Sequence, residues 1–172
     1  MPGSDASVAH HLHRLPDGIA GTIEPLAQET TPGRRHRDAL TGLADSGEAR
    51  RWIAEAIRRG TGTGLLLISI NRFELVNSAY GRAAGDALLK AAARRIERVA
   101  LDASGRRTLV ARMAGAEFLV GVAPGMSAER IDLLAGDIVE AVARPFISGA
   151  DTFVLGCRVG IAIADEDGAE VT

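Results

Sequence analysis

The chain has 172 residues, 47% hydrophobic but only 3% aromatic, and its 20 basic and 22 acidic side chains leave a formal charge of −2. That length suits one domain with a tail, built around a core of Ala, Val, Leu and Ile. The balance of charge excludes a whole-molecule field for gathering nucleic acid or anionic lipid, and the single Cys157 excludes an intramolecular disulfide.

Four of the six prolines and all four histidines precede residue 37, among Gly, Ser and Thr without helical periodicity. Residues 1–33 therefore read as a flexible tail or interdomain linker. The start lacks the charged-then-apolar order of a signal peptide, and no apolar run nears the roughly 18 residues of a membrane span. A cytoplasmic protein is expected, with no nucleic-acid partner and no membrane span in this chain. His10, His11 and His13 have no second ligand set nearby, so they do not read as a metal site. The basic run Arg34-Arg35-His36-Arg37 lacks an aromatic platform for bases and reads as the solvated edge of the folded body. Beyond it there is no histidine, which argues against His-based catalysis or His-ligated zinc.

Asp45 and Glu48 have capping-box spacing, and Ala49, Trp52, Ile53, Ala56 and Ile57 recur at helical intervals, predicting a helix over 46–59. Residues 65–70 are apolar almost throughout, as in a strand covered on both faces. A short helical stretch around 72–79 precedes a long helix from about 83 to 101. Residues 108–113 and 117–123 read as two strands of a hairpin in which Gly115 supplies a positive φ. Ser127 caps a helix burying Ile131, Leu134, Ile138 and Val142. Pro145-Phe146-Ile147 is extended, and residues 152–164 form a further strand after a turn at 149–151. Cys157 and Trp52 read as core residues. This order predicts an α/β (α+β) sandwich, a central mixed sheet flanked by helices.

Three segments stand out: Ser69-Ile70-Asn71-Arg72-Phe73, Asn77 through Asp86, and Arg112-Met113-Ala114-Gly115-Ala116-Glu117-Phe118. With Asp38-Ala39-Leu40-Thr41-Gly42-Leu43, Gly85-Asp86-Ala87-Leu88-Leu89 and Val159-Gly160-Ile161-Ala162, they resemble the GGDEF domain, the diguanylate cyclase family. The resemblance implies a polymerase-palm-like fold over residues 34–172, with the signature on a β-hairpin. It also implies chemistry in which two GTP-loaded domains pair to make cyclic di-GMP.

The departures from the pattern are chemical. Ser69 stands where the family's first strand ends in a metal-ligating Asp, and Ala116 stands where the signature supplies a second metal carboxylate. Glu117 survives. Phosphoryl transfer relies on the metal for several kcal/mol, so losing it costs on the order of a thousandfold in rate or more. A catalytically inactive domain is therefore expected, with no metal site at Ser69 and Ala116, and with magnesium entering only alongside a bound nucleotide. In the family, residues at the positions of Asn77 and Asp86 hydrogen-bond the guanine edge; the bland alternatives are a solvated helix residue and a carboxylate favouring a helix dipole.

The family's inhibitory-site Arg-x-x-Asp falls at Gly105-Arg106-Arg107-Thr108, without the Asp, so that site is expected to be absent. The family's C-terminal helix, with its phosphate-binding Lys, has no counterpart through Thr172. Arg144-Pro145-Phe146 with Gly149 resembles the version of the domain found upstream of EAL phosphodiesterase domains. The expected function is a cyclic di-GMP signalling protein in which this domain binds GTP, or docks an adjacent phosphodiesterase or sensor domain, as a regulatory module. The alternatives are a weakly active cyclase, working as a homodimer, and a protein-interaction scaffold without nucleotide.

Overall fold

The computed structural model describes residues 36–59, 62–122, 124–149 and 151–164. The tail with His10, His11 and His13, the pair Arg34-Arg35, and the end of the chain lie outside the described residues.

Helix α1, Ser46–Arg59, starts where Asp45 Oδ1 accepts the backbone N–H of Glu48 at 2.9 Å. Only that half of the expected capping box forms: Glu48 pairs with Arg51, and the Asp45 N–H donates to the His36 carbonyl. Strand β1, Thr63–Ile70, follows, then helix α2, Phe73–Ser104. The two helices expected from the sequence are the two halves of α2, which is broken at Gly81 (φ 82, ψ 168). That backbone conformation is open to glycine and strained for other residues.

A 3₁₀ turn, Gly105–Arg107, leads to β2, Leu109–Arg112, and β3, Glu117–Val122. Helix α3, Ala128–Ala143, is capped by Ser127, whose Oγ accepts the Arg130 N–H at 3.3 Å. The last strands are β4, Phe146–Ser148, β5, Asp151–Phe153, and β6, Cys157–Ala164. The single strand expected over 152–164 is thus two strands in different sheets.

The main sheet has the order β2-β3-β1-β6, and β4 and β5 form a separate hairpin. Every neighbouring pair in the main sheet is antiparallel. The expected mixed sheet is corrected in this respect. β1 and β2 do run parallel, as the strand–helix–strand order suggests, but β3 inserts between them, giving a split βαβ arrangement. The one parallel pairing among the described residues is the isolated bridge between Ala44 and Ala111. The result is an α+β sandwich with an antiparallel sheet flanked by helices.

The sheet buries one face under α2 and α3, where Leu66, Ile68, Phe118 and Val120 meet Ile96 and Ile138. The other face is half covered. Helix α1 packs on its β2–β3 side through Ala49, Ala111 and Leu119, with the Trp52 ring seated over Gly121. A Cβ at Gly121 would lie 2.5 Å from that ring, so the glycine is needed for the close approach. Leu67, further across this face, is 45% exposed. β1 is therefore not covered on both faces, because α1 does not reach that far. Cys157 is buried as expected, and burial pushes its thiol up to about 11. Among the described residues, no helix is long and apolar enough to cross a membrane.

Arg95 ties the two covering helices together. From the middle of α2 its guanidinium donates to the carbonyls of Ala141 (3.2 Å), Arg144 (2.5 Å) and Pro145 (2.7 Å), and it lies 3.7 Å over the Phe146 ring. It thereby caps the open C-terminal carbonyls of α3 and holds the Arg144-Pro145-Phe146 corner. Desolvation, and then the nearby charge of Arg144, lower its pKa. Arg95→Ala is expected to destabilise the domain by about 2 kcal/mol, read as a lower urea midpoint. Arg95→Lys should recover little of it, because an ammonium lacks the planar fork that reaches three carbonyls.

Candidate functional site

The signature segment turns as a tight hairpin. Glu117 N–H donates to Ala114 O at 2.8 Å and Met113 N–H to Glu117 O at 2.9 Å, with Gly115 at φ 52 as expected. The turn is locked from behind. Arg112 donates from Nε (3.0 Å) and Nη2 (2.8 Å) to the Gly115 carbonyl, and its Nη1 reaches Asp38 Oδ1 at 3.2 Å. Asp38 in turn accepts the backbone N–H (2.8 Å) and hydroxyl (2.7 Å) of Thr41. The Asp38-Ala39-Leu40-Thr41 turn is thus a brace for the hairpin 74 residues later in the chain. Sequence inspection identified the motif but not this contact.

Pairing of β1 with β3 sets Ser69 directly opposite Glu117, and the Ile70 N–H donates to the Ala116 carbonyl at 3.1 Å. Ser69 and Ala116, the two positions at which the family pattern has metal carboxylates, are therefore brought together, with Glu117 beside them. Ser69 and Ala116 are partly buried and Glu117 is exposed. One carboxylate, one hydroxyl and one methyl are not a magnesium donor set, since the ion is ordinarily held by carboxylates together with substrate phosphates. Among the described residues no group of three His, Cys, Asp or Glu side chains is placed to hold a metal. The site does not fit the ion.

On the other edge of β1, Ser69 pairs with Arg158 of β6. Residues directly opposite on antiparallel strands share a face, so Glu117, Ser69 and Arg158 form one row across the sheet. Sequence reasoning missed Arg158. The signal was available, because Arg158 precedes Val159-Gly160-Ile161-Ala162 at the position of the Ser in the family's Ser-Ile-Gly-Ile-Ala.

The break in α2 brings the Asn77 amide up to Gly85, the residue before Asp86. Eight residues of straight helix would separate positions 77 and 85 by about 12 Å. Instead the Asn77 amide lies against Gly85, where a Cβ would fall 1.9 Å from Oδ1. Asp86, next in the chain, is exposed, and among the described residues its carboxylate has no hydrogen-bond or ion-pair partner. It lies past the first turn after Gly81, where a helix dipole has faded, so the dipole role has little physical support.

The window Gly105–Thr108 forms the 3₁₀ turn and contains no carboxylate. It borders a cavity of about 810 Å³ lined by Trp52, Glu55, Arg59, Glu97, Arg107 and Leu109 among others. That cavity opens at the starts of β1 and β2, the end of the sheet away from the signature, and no signature residue lines it.

The sequence pattern described as "Diguanylate cyclase, GGDEF domain" matches residues 35–172. The chain belongs to the GGDEF family. Among curated proteins, this GGDEF domain is 30% identical over 140 residues to signaling protein YkoW of Bacillus subtilis, covering 78% of this chain and 17% of that one. It is 31% identical over 153 residues to the cyclic di-GMP phosphodiesterase PdeR of Escherichia coli, covering 88% of this chain and 22% of that one. The chain thus spans about a fifth of the length of these relatives. Among solved structures, a sensory box/GGDEF family protein from Caulobacter crescentus superposes with a TM-score of 0.67 at 31% identity, covering 77% of this chain and 85% of that one. The GGDEF domain of TpbB from Pseudomonas aeruginosa gives 0.65 at 31% identity, covering 76% and 77%.

Against the upward pull of partial burial, the Thr41 hydroxyl and N–H and then the Arg112 guanidinium hold the Asp38 carboxyl below its ordinary value of 3.8. A carboxyl lowered on folding stabilises fully above its unfolded value, and the contribution is lost as pH falls through the folded value. Arg112→Ala should therefore cost about 2 kcal/mol at pH 7. The gap to the wild-type urea midpoint should narrow as pH drops below the ordinary Asp range, leaving the share that comes from the two bonds to the Gly115 carbonyl.

Proposed function

We propose that this chain is a GGDEF domain without cyclase activity, a cytoplasmic regulatory module of a cyclic di-GMP signalling protein that binds GTP. The observation that carries the first half is the pairing of Ser69 with Glu117 beside Ala116: the fold builds the metal corner, and the side chains leave it one carboxylate. Phosphoryl transfer without its metal loses both charge neutralisation and activation of the attacking oxygen.

The second half rests on Asn77 and Asp86. The Asn77 amide lies against Gly85, the neighbour of Asp86, and among the described residues the Asp86 carboxylate has no partner that would account for it. An amide and a carboxylate acting together would match the donor–acceptor edge of guanine. A module that reads GTP without consuming it has its output in a neighbouring domain. The similarity to a phosphodiesterase about four times as long, and the Arg144-Pro145-Phe146 corner held by Arg95, support a tandem with such a domain. Residues 1–33 are then the linker on the other side. The missing carboxylate in Gly105–Thr108 supports a domain without product inhibition at that turn.

Incubation with GTP and magnesium or manganese is expected to yield no cyclic di-GMP above background; accumulation would overturn the inactive reading in favour of a weak cyclase. In calorimetry, GTP is expected to bind with ATP at least tenfold weaker, and Asp86→Ala should abolish that preference. Equal, negligible binding of both nucleotides would favour the scaffold.

A further inference from the structure

The row Glu117–Ser69–Arg158 places a cation where the metal corner lies. Neighbouring strands run about 4.8 Å apart, so the Arg158 and Glu117 backbones are some 10 Å apart with Ser69 between them. Arg158 and Glu117 are exposed, and among the described residues neither side chain is engaged in an ion pair. Arg158 shares the sheet face of Ser69, one strand away. Among the described residues β6 is the edge strand of the main sheet.

The electrostatics of this row oppose a metal and suit an anion. A divalent cation above Ser69 would meet one carboxylate and one guanidinium, with Ala116 contributing no ligand. A phosphate there would meet a guanidinium, whose planar fork matches its oxygens in pairs, and a hydroxyl donor. Glu117, one strand over, repels a phosphate seated on itself and confines it to the β1–β6 side. Its carboxylate can accept from a sugar hydroxyl instead.

We propose that Arg158 takes the place of the metal ion at this site: its guanidinium, with the Ser69 hydroxyl, binds the nucleotide phosphates directly, and binding needs no divalent cation. This rests on the reading of the domain as a GTP-binding module, and it adds how the phosphates are held. The binding is not catalytic, because a guanidinium neutralises charge but does not activate a hydroxyl for attack.

The test is calorimetric titration of the whole chain with GTP and with guanosine, in magnesium and in EDTA. GTP affinity is expected to agree within threefold between the two buffers. Arg158→Ala should weaken GTP at least tenfold while leaving guanosine unchanged, and Arg158→Lys should recover part of the loss. Arg158→Glu should bind GTP only when magnesium is present, having exchanged the built-in cation for a ligand. Arg98→Ala, an exposed guanidinium on α2, should behave as wild type. Equal urea midpoints for the variants would show that each is folded, as expected for an exposed side chain on an edge strand. GTP binding that requires magnesium in the wild type, or that survives Arg158→Ala unchanged, overturns the role of Arg158 and leaves the GTP-binding reading standing. Failure of both GTP and guanosine to bind overturns both.

Discussion

The register of β1 governs the rest of the molecule. This strand pairs along its length with β6, from Thr63 opposite Ala164 to Ile70 opposite Cys157, and with β3 from Gly64 opposite Val122 to Ser69 opposite Glu117. Side chains alternate between faces, so a slip of one residue on either edge would exchange the buried Leu66, Ile68 and Ile70 for Leu65, Leu67 and Ser69. The core under α2 and α3 therefore fixes which residues meet at the other end of the strand. The chemistry of the site is a by-product of hydrophobic register.

Two glycines act in a similar way within α2. Gly81 breaks the helix with a backbone conformation that costs other residues energy, and Gly85 gives the Asn77 amide a place to lie. Neither residue has a side chain to offer a ligand. Together they bring the Asn77 amide against the residue before Asp86, which no continuous helix does for positions eight apart.

Family scaffold and family chemistry separate here. The hairpin turn, its brace from Arg112 and Asp38, and the pairing of Ser69 with Glu117 are all in place. The changes are confined to side-chain ends: a hydroxyl and a methyl where the family pattern has carboxylates, and a guanidinium one strand away. Compared with carboxylates at both positions, the corner is less negative by two charges before Arg158 is counted. Substitutions of this kind leave the backbone ladder intact, because they alter side-chain groups that the strand pairing does not use.

Periodicity alone located most elements, because amphipathic spacing in α1 and α3 and the apolar run of β1 report burial directly. The glycine at 115 announced its turn, and Ser127 its cap, since both are local in sequence. The absence of the two carboxylates at Ser69 and Ala116 was also legible in the residues themselves. Sheet order was not: whether β3 or β2 lies beside β1 depends on packing between segments some 50 residues apart, which leaves no local trace. The same holds for the brace between Asp38 and Arg112, for Arg95 capping α3, and for Arg158 across from Ser69. Residue types and local turns come from the chain's own covalent neighbours. Which charged groups face one another was decided only when distant strands paired.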